Sequence, residues 1–65
     1  MNDVQRDWRI VFLHTVHGVK FEVLVAAPTQ YLATRAGGEQ LAEHMRRTAG
    51  HVSDWAHYST AEVPA

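Results

Sequence analysis

Five histidines fall within a 65-residue chain, at His14, His17, His44, His51 and His57. Imidazole is the commonest metal ligand, and it is the side chain whose ordinary titration lies nearest neutral pH. A zinc centre needs three or four convergent ligands, yet the chain has no cysteine and none of the spacings that zinc sites use. His14 and His17 fall on opposite strand faces or at a turn, and His44 sits near the back of a helical stripe. These positions predict scattered surface or hydrogen-bonded imidazoles rather than a metal site. A proton-responsive contact stays open through His14 and His57, which become neighbours if the first and last strands pair. Ser53, Asp54 and His57 have the composition of a hydrolytic triad. Strand alternation separates Asp54 and His57 onto opposite faces, so no catalytic residue and no cofactor is assigned.

The charged residues point the same way. Six Lys and Arg stand against seven Asp and Glu, for a formal net charge of −1, which provides no general attraction to nucleic acid or to an anionic membrane. Arg35, Glu39, Glu43, Arg46 and Arg47 alternate in sign along one side of a predicted helix, a pattern that suits a solvated face with pairs three and four apart. Arg46 and Arg47 also fall in its last turn, where positive charge complements the helix dipole. The start, MNDVQRDW, lacks the basic and apolar regions of a secretory signal. No run is long and apolar enough to span a bilayer, and a cytoplasmic protein is expected.

The elements that would position these groups are legible from period and punctuation. Residues 1–7 are polar and are expected to be flexible. Trp8–Val16 and Val19–Ala26 are rich in β-branched and aromatic residues and flank His17-Gly18, which predicts a hairpin over 8–26 with a tight two-residue turn of open type. Trp8, Ile10, Phe12 and Val16 then share a face with Val19, Phe21, Val23 and Val25, while Arg9, Val11, Leu13, Lys20, Glu22 and Leu24 take the other.

Between Thr29 and Gly50, Tyr31, Thr34, Gly38, Leu41, Ala42, Met45 and Ala49 recur at helical spacing. They predict a helix over 29–49 with Gly38 in its apolar stripe, close against the sheet; a shorter helix from Glu39 is the alternative if Gly37-Gly38 breaks it. Thr29 suits the N-cap and Gly50 the left-handed position past the end. A third strand follows over 54–63. A helix of about 21 residues rises roughly 31 Å, enough to return the chain along a nine-residue strand of about 30 Å. The third strand therefore runs parallel to the second, and a right-handed crossover places it beside the first. The expected fold is α+β: a ββαβ chain with a three-stranded sheet in order 2-1-3 and one long helix packed on one face.

This order resembles a small ββαβ pattern of accessory proteins from phages, prophages and high-GC bacteria. The resemblance lies in Phe21–Val25, Ala27-Pro28-Thr29, an Ala-rich helix ending at Gly50 and a last strand ending in Val63-Pro64. Some anti-CRISPR and other host-takeover proteins are similar in size and build, though the strongly acidic surfaces that some of them use to mimic DNA are absent here. The resemblance implies a protein partner and transfers no functional residue.

A chain this short buries only about 60% of the surface its unfolded form exposes, and one without disulfides or metal often gains stability by oligomerising. Val11, Leu13, Leu24 and, depending on register, Tyr58 or Trp55 would lie on the sheet face the helix leaves bare, and both outer strands present unpaired edges. These residues, with Arg9 and Lys20 around them, are the interface candidates. The expected function is a non-enzymatic protein-interaction module, homodimeric or bound to another protein. The alternatives are a nucleic-acid-associated regulator using Arg9 and Lys20, and a structural protein with a histidine-dependent response to pH or metal.

Overall fold

The computed structural model describes residues 4–64. Strand β1 (Arg6–His14) leads through a loop to β2 (Lys20–Ala27); helix α1 (Gln30–Thr48), a single 3-10 turn (Val52–Asp54) and β3 (Trp55–Glu62) follow. The strands form one sheet in the order β2-β1-β3, with β1 antiparallel to both neighbours, and α1 packs on one face. The α+β architecture expected from the hairpin, helix and last strand is therefore the one the chain adopts. β1 is central and the most buried strand. It contributes Trp8, Ile10 and Phe12 to a core completed by Ala27, Ala33, Leu41 and Met45, with Phe21, Val25 and Trp55 partly buried around it. The Trp8 indole N–H donates to the Ala27 carbonyl at 2.9 Å, so the largest core ring buries no unpaired donor.

The boundaries of β1 differ from expectation at both ends. Arg6 and Asp7 belong to the strand rather than to a flexible lead: Arg6 pairs with Ala27, and the Val63 N–H donates to the Asp7 carbonyl at 2.8 Å. The first three residues of the expected lead lie outside the described residues. At the far end β1 stops at His14, and the two-residue turn gives way to a loop over 15–19. His14 itself causes this. Its Nδ1 accepts from the backbone N–H groups of Val16 and His17 at 3.2 and 3.1 Å, and its carbonyl accepts from Gly18, which takes a left-handed φ of 70°. Val16 and Val19, expected on the core face, are instead exposed in or beside this loop.

Helix α1 runs unbroken through Gly37 and Gly38. Thr29 caps it, its hydroxyl accepting from the Leu32 N–H at 3.2 Å. The phase of the helix differs from the expected stripe. The buried positions are Ala33, Gly37, Leu41 and Met45, whereas Tyr31 is 72% exposed and Ala42 faces solvent. Gly37, and not Gly38, is the close-packing residue: a Cβ there would lie 3.0 Å from Ile10 Cβ. At the C-terminus the left-handed residue is Ala49, with φ 60°, rather than Gly50. Gly50 lies against Met45, whose side chain would have to shift to admit a Cβ there, 2.6 Å from its Sδ.

Candidate functional site

Hydrogen-bond parity decides which groups of the sheet are already used. His14 N–H donates to Val19 O, and Thr15 N–H to Asp54 O, each at 2.8 Å. In an antiparallel ladder such bonds recur at every second residue. Even-numbered residues of β1 therefore bond to β2 and odd-numbered ones to β3. In the register Phe12↔Phe21, Ile10↔Val23, Trp8↔Val25, the odd residues of β2 turn their backbone groups inward. Lys20, Glu22, Leu24 and Ala26 turn theirs outward, along a free edge that runs the length of the strand.

The two outer edges of the sheet are not equivalent. The β1–β2 register is uninterrupted from Arg6↔Ala27 to Leu13↔Lys20. The β1–β3 register breaks between Val11↔Ser59 and Phe12↔His57, leaving Tyr58 as the extra residue of a bulge. A bulge twists an edge away from further pairing. The edge of β3 is also covered where Gln30 Nε2 donates to the outward Thr60 carbonyl at 3.4 Å. The edge of β2 carries neither device.

Beside it lies a cleft of about 460 Å³ lined by Phe21, Ala36, Gln40, Glu43, His44 and Arg47 among others. The phase of α1 explains its position. With Ala33, Gly37, Leu41 and Met45 on the sheet, one flank of the helix meets β3 through Thr34, whose hydroxyl is 2.8 Å from that of Thr60. The opposite flank, Ala36–Gln40–Arg47, overlooks β2. The imidazole of His44 stacks on Phe21 at 4.9 Å and closes one end. Glu43 is held by both Arg46 and Arg47. A strand laid along β2 would have its helix-side residues in this cleft.

Most of the sequence-derived candidates lie on the face away from the helix. Arg9, Val11 and Leu13 on β1, Lys20 and Leu24 on β2 and Tyr58 on β3 gather there, while Trp55 packs against Phe21 and His14 on the helix side. The open face is less apolar than the pattern suggested. Val11 is only 9% exposed, between Glu22 and Ser59 on the central strand, while Leu24 is 65% exposed. Arg9 pairs with Glu22 at 3.4 Å, and Lys20 Nζ sits 4.8 Å from the Tyr58 ring centroid. Both basic residues of this face are thus already engaged. The sequence pointed to both outer edges without choosing between them, and the flank Ala36–Gln40 was missed. The alternation of β2 carried that signal for the edge, since any strand paired on one side only must expose every second peptide on the other.

Four of the five histidines, His14, His17, His44 and His57, are dispersed as ring partners. His14 stacks on His17 at 4.8 Å and meets Trp55 edge-on at 5.1 Å, and His57 meets Phe12 at 6.0 Å. His14 and His57 are not opposite each other, since His14 pairs with Trp55 and His57 with Phe12. Among the described residues no three His, Asp or Glu side chains converge as a metal site. His57 Nε2 does lie 2.6 Å from Thr60 Oγ1, a distance at which imidazole could activate a hydroxyl. Proton counting gives it a different part. Thr34 donates its single hydroxyl proton to the Gln30 carbonyl at 2.9 Å, so Thr60 must donate to Thr34 and accept from His57 Nε2–H. The chain His57→Thr60→Thr34→Gln30 ties β3 to the first turns of α1, and the Thr60 proton points away from His57.

No family model, no curated protein and no solved structure matches this chain. Among the described residues no helix is long and apolar enough to cross a membrane.

Proposed function

We propose that this is a non-enzymatic protein-interaction module that works by strand addition along the free edge of β2. The observation that carries the reading is the asymmetry of the two edges: β3 is bulged at Tyr58 and covered by Gln30, while β2 keeps an unbroken register and outward peptides at Lys20, Glu22, Leu24 and Ala26. An added strand satisfies those peptides with main-chain hydrogen bonds, and alternate side chains give selectivity. On one side they meet the cleft under Ala36 and Gln40, and on the other they lie beside Leu24. A phage-encoded or accessory inhibitor that docks on a host protein is one setting for such a module, and the segment order that resembles those proteins supports it.

The test uses an isotope-labelled protein and an eight-residue peptide of alternating threonine and valine, which is extended and neutral. Amide shifts are expected to move most at Lys20, Glu22, Leu24 and Ala26, with smaller changes at Ala36 and Gln40. Shifts confined to β3, or none at saturating peptide, would remove the reading.

A further inference from the structure

We infer that the strand added to β2 is β2 of a second copy, joined antiparallel about Val23 so that two three-stranded sheets become one of six strands. This rests on the strand-addition reading and adds the identity of the partner. Register decides how two such edges can meet. Two copies of an edge can pair only with outward residues opposite outward residues, so the candidates are few. Centred on Glu22, the pairing sets Glu22 against its own copy, and like charges directly opposite destabilise a ladder. Centred on Leu24, it sets Lys20 against Pro28, which has no N–H to give. Centred on Val23, it sets Lys20 opposite Ala26 and Glu22 opposite Leu24, so all four outward residues of both strands are paired.

The side chains agree with this register. No charged residue directly opposes its own kind, and Glu22 remains partnered by Arg9 within its own chain. Leu24, exposed in the single chain, gains a neighbour across the join. The two-fold axis stands perpendicular to the sheet, so both helices lie on the same face. Their Ala36–Gln40 flanks then border one shared channel made from the two clefts. The contact is isologous and closes at two copies, which leaves only the blunted β3 edges at the ends of the enlarged sheet.

The chain contains no cysteine, so single-cysteine variants report the register directly. Facing Cα atoms in a hydrogen-bonded antiparallel pair are about 5.5 Å apart, within the range a disulfide spans. An equimolar mixture of Lys20→Cys and Ala26→Cys is expected to give the mixed disulfide in preference to either self-paired product, and an Ala61→Cys control on β3 is expected to stay reduced. Sedimentation equilibrium should show twice the single-chain mass at high concentration. Leu24→Pro, which removes an outward N–H unused within the chain, should return it to one copy with the circular dichroism of the fold unchanged; Leu24→Glu should do the same by setting a second carboxylate opposite Glu22 of the other copy. A single-chain mass at millimolar concentration overturns the second-copy assignment, and if the threonine–valine peptide still binds, the strand-addition reading survives it. Self-paired disulfides at Lys20 or Ala26 in place of the mixed product would also overturn it.

Discussion

A Cβ placed on Gly37 would lie 3.0 Å from both Cβ and Cγ2 of Ile10, while one placed on Gly38 meets nothing within 4 Å. Ile10 is fully buried on the central strand, so neither partner has room to give. Gly37→Ala is therefore expected to cost about 1–3 kcal/mol by overpacking. Gly38→Ala should raise stability by about 0.5–1 kcal/mol, because it only restricts the unfolded chain and improves helix propensity. Urea denaturation of the two variants side by side checks the pair, and equal effects would refute the phase of the helix. His14 offers a second contrast. Its Nδ1 holds two loop N–H groups, so His14→Phe should lose about 1–2 kcal/mol. His14→Asn, whose side-chain oxygen can accept from the N–H two residues on, should lose less. That the double glycine marks close packing was readable from sequence. Which glycine it was could not be read, because alanine and glycine weigh too little in an apolar period to fix its phase, and Tyr31 weighed too much.

At the scale of elements, the orientation of α1 over the sheet is set by small groups rather than by large apolar ones. Ala33 and Gly37 let the backbone down onto Ile10, and the Thr34–Thr60 contact ties one flank to β3. A double-mutant cycle of Thr34→Val and Thr60→Val, followed by thermal unfolding, is expected to show a coupling of about 0.5–1.5 kcal/mol. Additive losses would mean that the hydroxyl chain carries no linkage between helix and strand. Hairpin, helix and last strand were all legible, since the period changes from two to 3.6 and back at Pro28 and Gly50. The bulge at Tyr58 was not, because nothing in WAHYSTAE marks where β1 slips by a residue. That slip puts Tyr58 over Lys20 and leaves Trp55 with the core. The sequence-derived open face therefore held the right strands and one aromatic too many.

For the whole molecule, the consequence is a sheet with one guarded edge and one bare edge. The apolar face was the more visible feature in sequence, since side-chain type is written there directly and peptide direction only through the alternation of a strand. The structure shifts the weight to the backbone: Val11 is largely covered, Arg9 and Lys20 are engaged, and the outward peptides of β2 stand free. Amide hydrogen exchange at Lys20, Glu22, Leu24 and Ala26 tests this most directly, followed from micromolar to millimolar protein. The four amides are expected to gain protection together as concentration rises, while the outward amides of Thr60 and Glu62 on β3 do not change. Exchange at open-chain rates for all four at every concentration and with excess extended peptide, or protection that appears on β3 instead, would contradict the account.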